Sequence, residues 1–327
     1  MTRIILDPGF SFMGIRKILF TALAVSFFQL QVSGQDYKYE VGFQTDNDSY
    51  LAQGSDRYYT NGLFLNFRFA TDQAKLKAGL AKKVVEISAG QMIFNPRSGF
   101  RPDPETQDRP FAGYLYAGAA MTWFKDTEEN FKASVQLGTT GPNSLAKDGQ
   151  ELLHKTFGFY ETAGWDYQIK NEAAVNTSLQ YARLLQRAEN RKTDFVLEGY
   201  ANLGTTFSGA GAAVLFRAGN LEQLFNSASF DARVGTKKAE QRNELFFYAK
   251  PQLNYIAYDA TIQGSMFNND SPVTYEVKPL VFAQQFGVNY STGRLGLDFN
   301  VIFKTREIKS AATAHQFGSL RVNYRFN

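Results

Sequence analysis

Leu320-Arg321-Val322-Asn323-Tyr324-Arg325-Phe326, which all but ends the chain, alternates apolar and polar side chains without a break. Successive side chains of a strand point to opposite faces. Leu320, Val322, Tyr324 and Phe326 therefore share one face, and Arg321, Asn323 and Arg325 the other. A soluble β-sandwich can end on such a strand, so this stretch needs company, and the same alternation recurs upstream. Leu63, Leu65, Phe67 and Phe69 alternate with Phe64, Asn66 and Arg68. Phe131, Ala133, Val135 and Leu137 alternate with Lys132, Ser134 and Gln136. Val175, Thr177, Leu179 and Tyr181 alternate with Asn176, Ser178 and Gln180. Segments near 38–46, 82–93, 113–124, 194–205, 210–219, 243–262, 274–291 and 294–306 read the same way, and 217–242 carries the weakest pattern. The total is about twelve strands at about 24 residues per strand and loop. The expected fold is all-β: an antiparallel transmembrane β-barrel with a short helix in one long loop.

Composition argues in the same direction. The 327 residues include 30 Phe and 17 Tyr, yet the mean hydropathy is −0.31. That value is too polar for a bundle of membrane helices, whereas a wall alternating lipid-facing and water-facing side chains produces both features. The net charge of +4 is no nucleic-acid footprint, so no nucleic-acid partner is expected. The lack of cysteine removes disulfides and thiolate chemistry and suits an oxidising envelope compartment. Arg16-Lys17, the apolar run Ile18 to Phe28 and the small residues before Gln35 form a signal-peptide pattern, with Met13 as an alternative start. The run is too short to span a bilayer. Residues 1–34 are thus expected to be a signal peptide and 35–327 the barrel domain.

Counting strands from a periplasmic N-terminus puts the outer connections at about 47–60, 94–112, 139–166, 206–209, 263–273 and 306–314. The first three exceed what a turn needs, and long loops in a compact fold usually carry function. The third holds His154, one of only two histidines, the other being His315 near the C-terminus. Without cysteine, acid–base chemistry near neutral pH falls almost entirely to His154. A helix over about 148–157 puts Gln150 and His154 on one face and pairs Glu151 with Lys155. Leu152, Leu153 and Phe157 give that helix an apolar side for the barrel or the membrane interface. A plain helix-surface histidine is the alternative.

The first outer loop opens with Asp46-Asn47-Asp48-Ser49 and closes with Asp56-Arg57-Tyr58-Tyr59-Thr60-Asn61-Gly62. Its carboxylates and amides are hard oxygen donors suited to Ca²⁺, although the spacing is not that of an EF-hand. Asp and Asn also serve loops simply as turn residues. The second loop carries Arg97, Arg101 and Asp108-Arg109-Pro110-Phe111. Its arginines suit bidentate contacts to phosphate, and Asp108 with Arg109 reads equally as a structural pair at a strand start. Arg101, Arg109 and Gln150 are the substrate-contact candidates. No Gly-x-Ser-x-Gly elbow, His-Glu-x-x-His or Walker loop is present.

Asn47-Asp48, Tyr59-Thr60-Asn61-Gly62-Leu63, Asp108-Arg109-Pro110-Phe111-Ala112-Gly113-Tyr114-Leu115 and Gly141-Pro142 … Gln150-Glu151 … His154 … Gly164-Trp165 … Gln168 … Asn171-Glu172 resemble, in this order, the lipid A 3′-O-deacylase (LpxR-type) family of outer membranes. The motifs span residues 41 to 172, and the C-terminal half resembles the family only in its strand pattern. The resemblance implies a twelve-stranded barrel in the Gram-negative outer membrane with a Ca²⁺-dependent site at its outward end. It also implies removal of the 3′-linked acyloxyacyl chain of lipid A, with lipopolysaccharide as partner; the expected oligomeric state is a monomer.

By matching motif, His154 is the general base, Asn47 and Asp48 are the pair at the site, and Thr60 supplies a hydroxyl. A mechanism similar to that of secreted phospholipase A₂ follows: His154 deprotonates water, hydroxide attacks the ester, and Ca²⁺ stabilises the oxyanion. Asp48 is read as metal ligand or histidine orienter, and Asn47 as oxyanion donor or metal ligand. Two departures stand out. The acidic residue and tyrosine expected after the histidine appear in the shifted order Phe159-Tyr160-Glu161-Thr162. In place of the expected second-loop lysine, Arg97, Arg101 and Arg109 are the alternatives. The competing reading is a non-enzymatic barrel acting as ligand binder, adhesin or small channel.

Overall fold

The computed structural model describes residues 37–51, 56–236 and 243–327; the expected signal peptide lies outside the described residues. Twelve strands close into one antiparallel barrel: β1 (Tyr39–Asn47), β2 (Tyr58–Ala70), β3 (Leu80–Asn95), β4 (Ala112–Lys125), β5 (Glu129–Thr140), β6 (Ala173–Arg187), β7 (Thr193–Gly204), β8 (Phe207–Asn220), β9 (Glu244–Asp259), β10 (Leu280–Ser291), β11 (Leu295–Lys304) and β12 (His315–Phe326). Neighbours in sequence are neighbours in the wall. The seam is β1 against β12, in register from Tyr39 opposite Phe326 to Asn47 opposite Gly318.

The alternation becomes an inside and an outside. On β1, Glu40 is buried in the barrel while Val41 and Phe43 are exposed on its outer face. On β12, Arg325 is fully buried and bonds Glu40 at 2.7 Å, whereas Leu320 and Tyr324 are exposed outside. Glu40 also accepts from Arg68 at 2.9 Å, and Arg68 pairs with Glu86. Buried charges persist only when paired and hydrogen-bonded, and this interior supplies the partners. The outer face needs none, because an apolar belt is what a bilayer solvates.

Two strand ends differ from the sequence expectation. β9 stops at Asp259 because the Asp259 carboxylate caps the next turn, accepting the Thr261 N–H at 2.8 Å and starting helix α2 (Ala260–Gln263). β10 begins at Leu280 rather than near 274, immediately after Pro279, which lacks the N–H a ladder requires. The ambiguous stretch after β8 is no strand where it is described. Residues 221–236 form short 3-10 turns that fold against one end of the barrel. Leu224 packs with Val196, Leu215 and Phe246, and Ala232 and Val234 pack with Ala70, Val84 and Phe124. At the opposite end, the long loops meet in a second cluster of Tyr58, Ile262, Val277, Ile308 and Ala312.

Candidate active site

The β1–β2 hairpin builds half of the site. Asn47 is in phase with Val41, Phe43 and Thr45, so its side chain leaves the barrel on the outer face, opposite Asn61 of β2. Asp48 starts a 3-10 turn (Asp48–Leu51) and is 4% exposed. On the β3 side, Tyr59 pairs with Phe94 and Asn61 with Ile93, leaving Thr60 as the extra residue of a bulge. A bulge re-aims a side chain. Tyr59 points inward, its hydroxyl donating to Asp46 at 2.8 Å. The Thr60 hydroxyl lies 3.2 Å from Asp48 Oδ1 and 3.3 Å from Asp56 Oδ1.

Helix α1 (Ala146–Phe157) builds the other half. Ala146, Gln150 and His154, spaced four apart, form its buried stripe, while Leu152 and Phe157 are exposed. The helix ends on Gly158 in the left-handed region (φ 73°), whose N–H caps the His154 carbonyl. The chain then turns so that the Tyr160 carbonyl oxygen sits 2.6 Å from His154 Nδ1. A carbonyl can only accept, so Nδ1 carries the hydrogen and Nε2 is the basic nitrogen. Nε2 lies 3.0 Å from Asp56 Oδ2, to which the Tyr160 hydroxyl also donates. Burial, reinforced by Asp56, holds that hydroxyl well above the usual tyrosine range, so it remains a neutral donor.

Between these halves lies a cleft of about 380 Å³, with Asn47, Asp56, Thr60, Gln150 and His154 on its polar side. Phe43, Leu63, Leu153, Phe157 and Phe159 form its apolar side. Phe43 and Leu63 belong to the outer, lipid-facing surface of the barrel, so the cleft opens beside the wall rather than into the lumen.

Burial pushes the Asp48 carboxyl up to about 7 against the pull of the Arg57 N–H, and the charge on Asp56 adds to the rise. The Thr60 hydroxyl has one proton for two carboxylates. Both facts describe a pocket short of positive charge, and the Asp48, Asp56 and Thr60 donors are oxygens, which suits a hard cation such as Ca²⁺. No group of three or more His, Asp or Glu side chains arranged to hold a metal occurs among the described residues. The remainder of a Ca²⁺ shell would therefore come from backbone carbonyls, water or substrate.

The structure brings His154, Asn47, Asp48, Thr60 and Gln150 together but not the two arginines. Gln150 accepts the Trp165 indole N–H at 2.9 Å, which fixes its amide orientation. Arg109 is corrected from rim contact to interior scaffold. It is 1% exposed, donates to Thr261 Oγ1 at 2.9 Å and stacks on Phe94, because Phe111 and Ala112 pull the strand start into the core. Arg101 lies outside the cleft lining, with its backbone N–H bonded to Ala163. Asp108 and Arg109 do not pair with each other: Asp108 accepts from Tyr58 Oη at 3.0 Å and from the Arg97 N–H at 2.8 Å. Sequence reasoning missed Asp56 and Tyr160 as the partners of His154. Asp56 stands four residues before Thr60, but nothing in that spacing links it to a histidine almost a hundred residues later.

A family profile described as "Outer membrane protein LpxR" matches residues 18–326. Among solved structures, LpxR from Salmonella typhimurium superposes with a TM-score of 0.71 at 18% identity, covering 88% of this chain and 100% of that one. The β domain of the Bordetella autotransporter BrkA gives a TM-score of 0.46 at 13% identity, covering 89% and 99% of the two chains. No curated protein sequence matches. The profile spans nearly the whole chain and the fold agrees with it: the chain belongs to the LpxR family of outer-membrane proteins.

Proposed function

We propose that this protein is a lipid A 3′-O-deacylase that hydrolyses the 3′-linked acyloxyacyl ester at the outer leaflet. The observation that carries the reading is the place of the cleft. His154, Thr60 and Asp56 lie beside lipid-facing Phe43 and Leu63, so an acyl ester still embedded in the bilayer can reach them.

His154 Nε2 takes the proton from a water, the resulting hydroxide adds to the ester carbonyl, and the imidazolium returns the proton to the leaving sugar oxygen. The products are the acyloxyacyl fatty acid and a free 3′-hydroxyl on the sugar. The Tyr160 carbonyl holds the imidazole in the tautomer this requires. Asn47 spends its carbonyl on the Ser49 N–H at 2.7 Å, leaving its amide N–H groups as donors; an oxyanion-stabilising role fits it better than a ligand role. Asp48 and Asp56 are the residues that would hold Ca²⁺, which when bound would polarise the ester carbonyl. Of the three arginines, Arg97 is the one exposed next to the site: its neighbours Pro96 and Gly99 bond the backbone N–H of Tyr58 and the hydroxyl of Tyr160. It is the best candidate for a lipid phosphate.

The test is mass spectrometry of lipid A from outer membranes in which the barrel is correctly inserted. The wild type should remove the 3′-linked chain, and His154→Ala or EDTA should abolish the loss. Unchanged acylation with the wild type would refute the esterase, and full activity in EDTA would remove the cation from it.

A further inference from the structure

We infer that Tyr58 and Asp108 form a positioning clamp that sets the two halves of the cleft against each other; the inference rests on the esterase reading for its kinetic consequence. Tyr58 is 2% exposed and sits at φ 61°, a left-handed conformation that non-glycine residues rarely adopt. Something must hold it there. Its hydroxyl donates to Asp108 Oδ2 at 3.0 Å and accepts the Thr313 N–H at 2.8 Å. Its ring is packed among Ile262, Val277, Ile308 and Ala312.

Two arms leave the Asp108 carboxylate. Through Oδ2 it holds Tyr58, and with it the preceding Arg57, whose N–H donates to Asp48 Oδ2 at 2.8 Å, and the following bulge that aims Thr60. Through Oδ1 it accepts the Arg97 N–H at 2.8 Å. That fixes the loop whose Gly99 N–H donates to the Tyr160 hydroxyl at 3.0 Å, and Tyr160 in turn bonds Asp56, the partner of His154. Gly99 has no room for a side chain here, because a Cβ would lie 2.7 Å from Tyr160 Oη. The carboxylate itself is anchored by its own backbone carbonyl, which accepts from Ser310 Oγ at 2.6 Å. The Tyr58–Asp108 pair thus spaces Asp48, Asp56 and Thr60 of the β1–β2 hairpin on one side from Tyr160 and His154 on the other. Neither Tyr58 nor Asp108 lines the cleft, so both are positioning residues.

The experiment compares Tyr58→Phe, Asp108→Ala, the double variant and Asp108→Asn in the full chain, each checked for an intact barrel. With lipid A as substrate, Tyr58→Phe and Asp108→Ala should lower kcat about 10- to 100-fold, since misplacing reacting groups by about 1 Å costs up to about 100-fold. KM should stay essentially constant. The double variant should be no worse than Asp108→Ala, and Asp108→Asn, which can still accept the Arg97 N–H, should recover part of the loss. Equal kcat in Tyr58→Phe and wild type, or additive losses in the double variant, would overturn the clamp. A second readout does not depend on activity: hydrogen–deuterium exchange at residues 56–60 and 97–100 should accelerate in both segments together in Tyr58→Phe. Acceleration in neither would reject the clamp even if the wild type proves not to cleave lipid A.

Discussion

His154 is oriented through Nδ1 by the Tyr160 carbonyl, so its orientation needs no substrate, and Nε2 is left facing Asp56 at 3.0 Å. Asp48 is the opposite case, a buried carboxylate whose surroundings disfavour its charge. Its folded pKa, about 7, lies above its ordinary 3.8. The folded state therefore binds that proton more tightly, and without a cation stability is greatest below the unfolded pKa. It falls as pH rises through the window from about 4 to about 7 and then levels off, for a total of up to roughly 4 kcal/mol. A bound divalent cation removes this penalty. Ca²⁺ should therefore raise the thermal midpoint of the detergent-solubilised barrel, relative to EDTA, more at pH 8 than at pH 5. In Asp48→Asn the difference between the two pH values should disappear. An equal Ca²⁺ effect at both pH values in the wild type would mean that Asp48 does not hold the ion.

The elements that carry the site differ in how readable they were. The Gln150–His154 stripe of α1 follows from spacing, because i and i+4 share a helix face, and the wall follows from its period of two. The aim of Thr60 does not. A bulge inserts one residue into one strand, and no glycine or proline marks it here; the strained residue is Tyr58, an aromatic. The lateral opening of the cleft was legible, since Asn47 keeps step with Val41, Phe43 and Thr45, but it shows only once the phase of β1 is carried past the strand end. The outward face of α1 adds a further expectation. Leu152 is 66% exposed and, unlike Phe157 and Phe159, does not line the cleft. If that face rests in the interface beside the wall, Leu152→Asp should leave the barrel intact. It should raise the apparent KM for lipid A in membranes roughly tenfold, from the loss of about 1.5 kcal/mol of apolar burial. Activity on detergent-dispersed lipid A should change much less. Equal effects on both substrates would detach α1 from the membrane.

At the scale of the molecule, the inside of the wall holds polar cavities of about 340 and 360 Å³ together with buried ion pairs that cluster at one end. Arg217, fully buried, bonds Asp194 at 2.9 and 2.7 Å and Ser227 Oγ at 2.7 Å. Glu244 accepts from Ser227 Oγ and the Ala228 N–H, both at 2.7 Å, and Lys82 donates to the Ala232 carbonyl at 2.7 Å. These bonds tie residues 221–236 to β3, β8 and β9 across the end of the barrel opposite the cleft. Within the weakly patterned stretch, residues 221–236 show no period because they answer to charged partners far along the chain rather than to a repeating face. A twelve-stranded barrel leaves a lumen narrow enough for such a segment to obstruct, which bears directly on the small-channel alternative. The wild-type protein in planar bilayers should show no stepwise conductance, whereas replacing residues 222–235 by a short turn, if the barrel still inserts, should open one. Wild-type conductance equal to that of the deletion would return the channel to consideration. A silent wild type with a conducting deletion would assign segment 221–236 the task of closing the lumen, leaving the cleft beside the wall as the place where substrate is met.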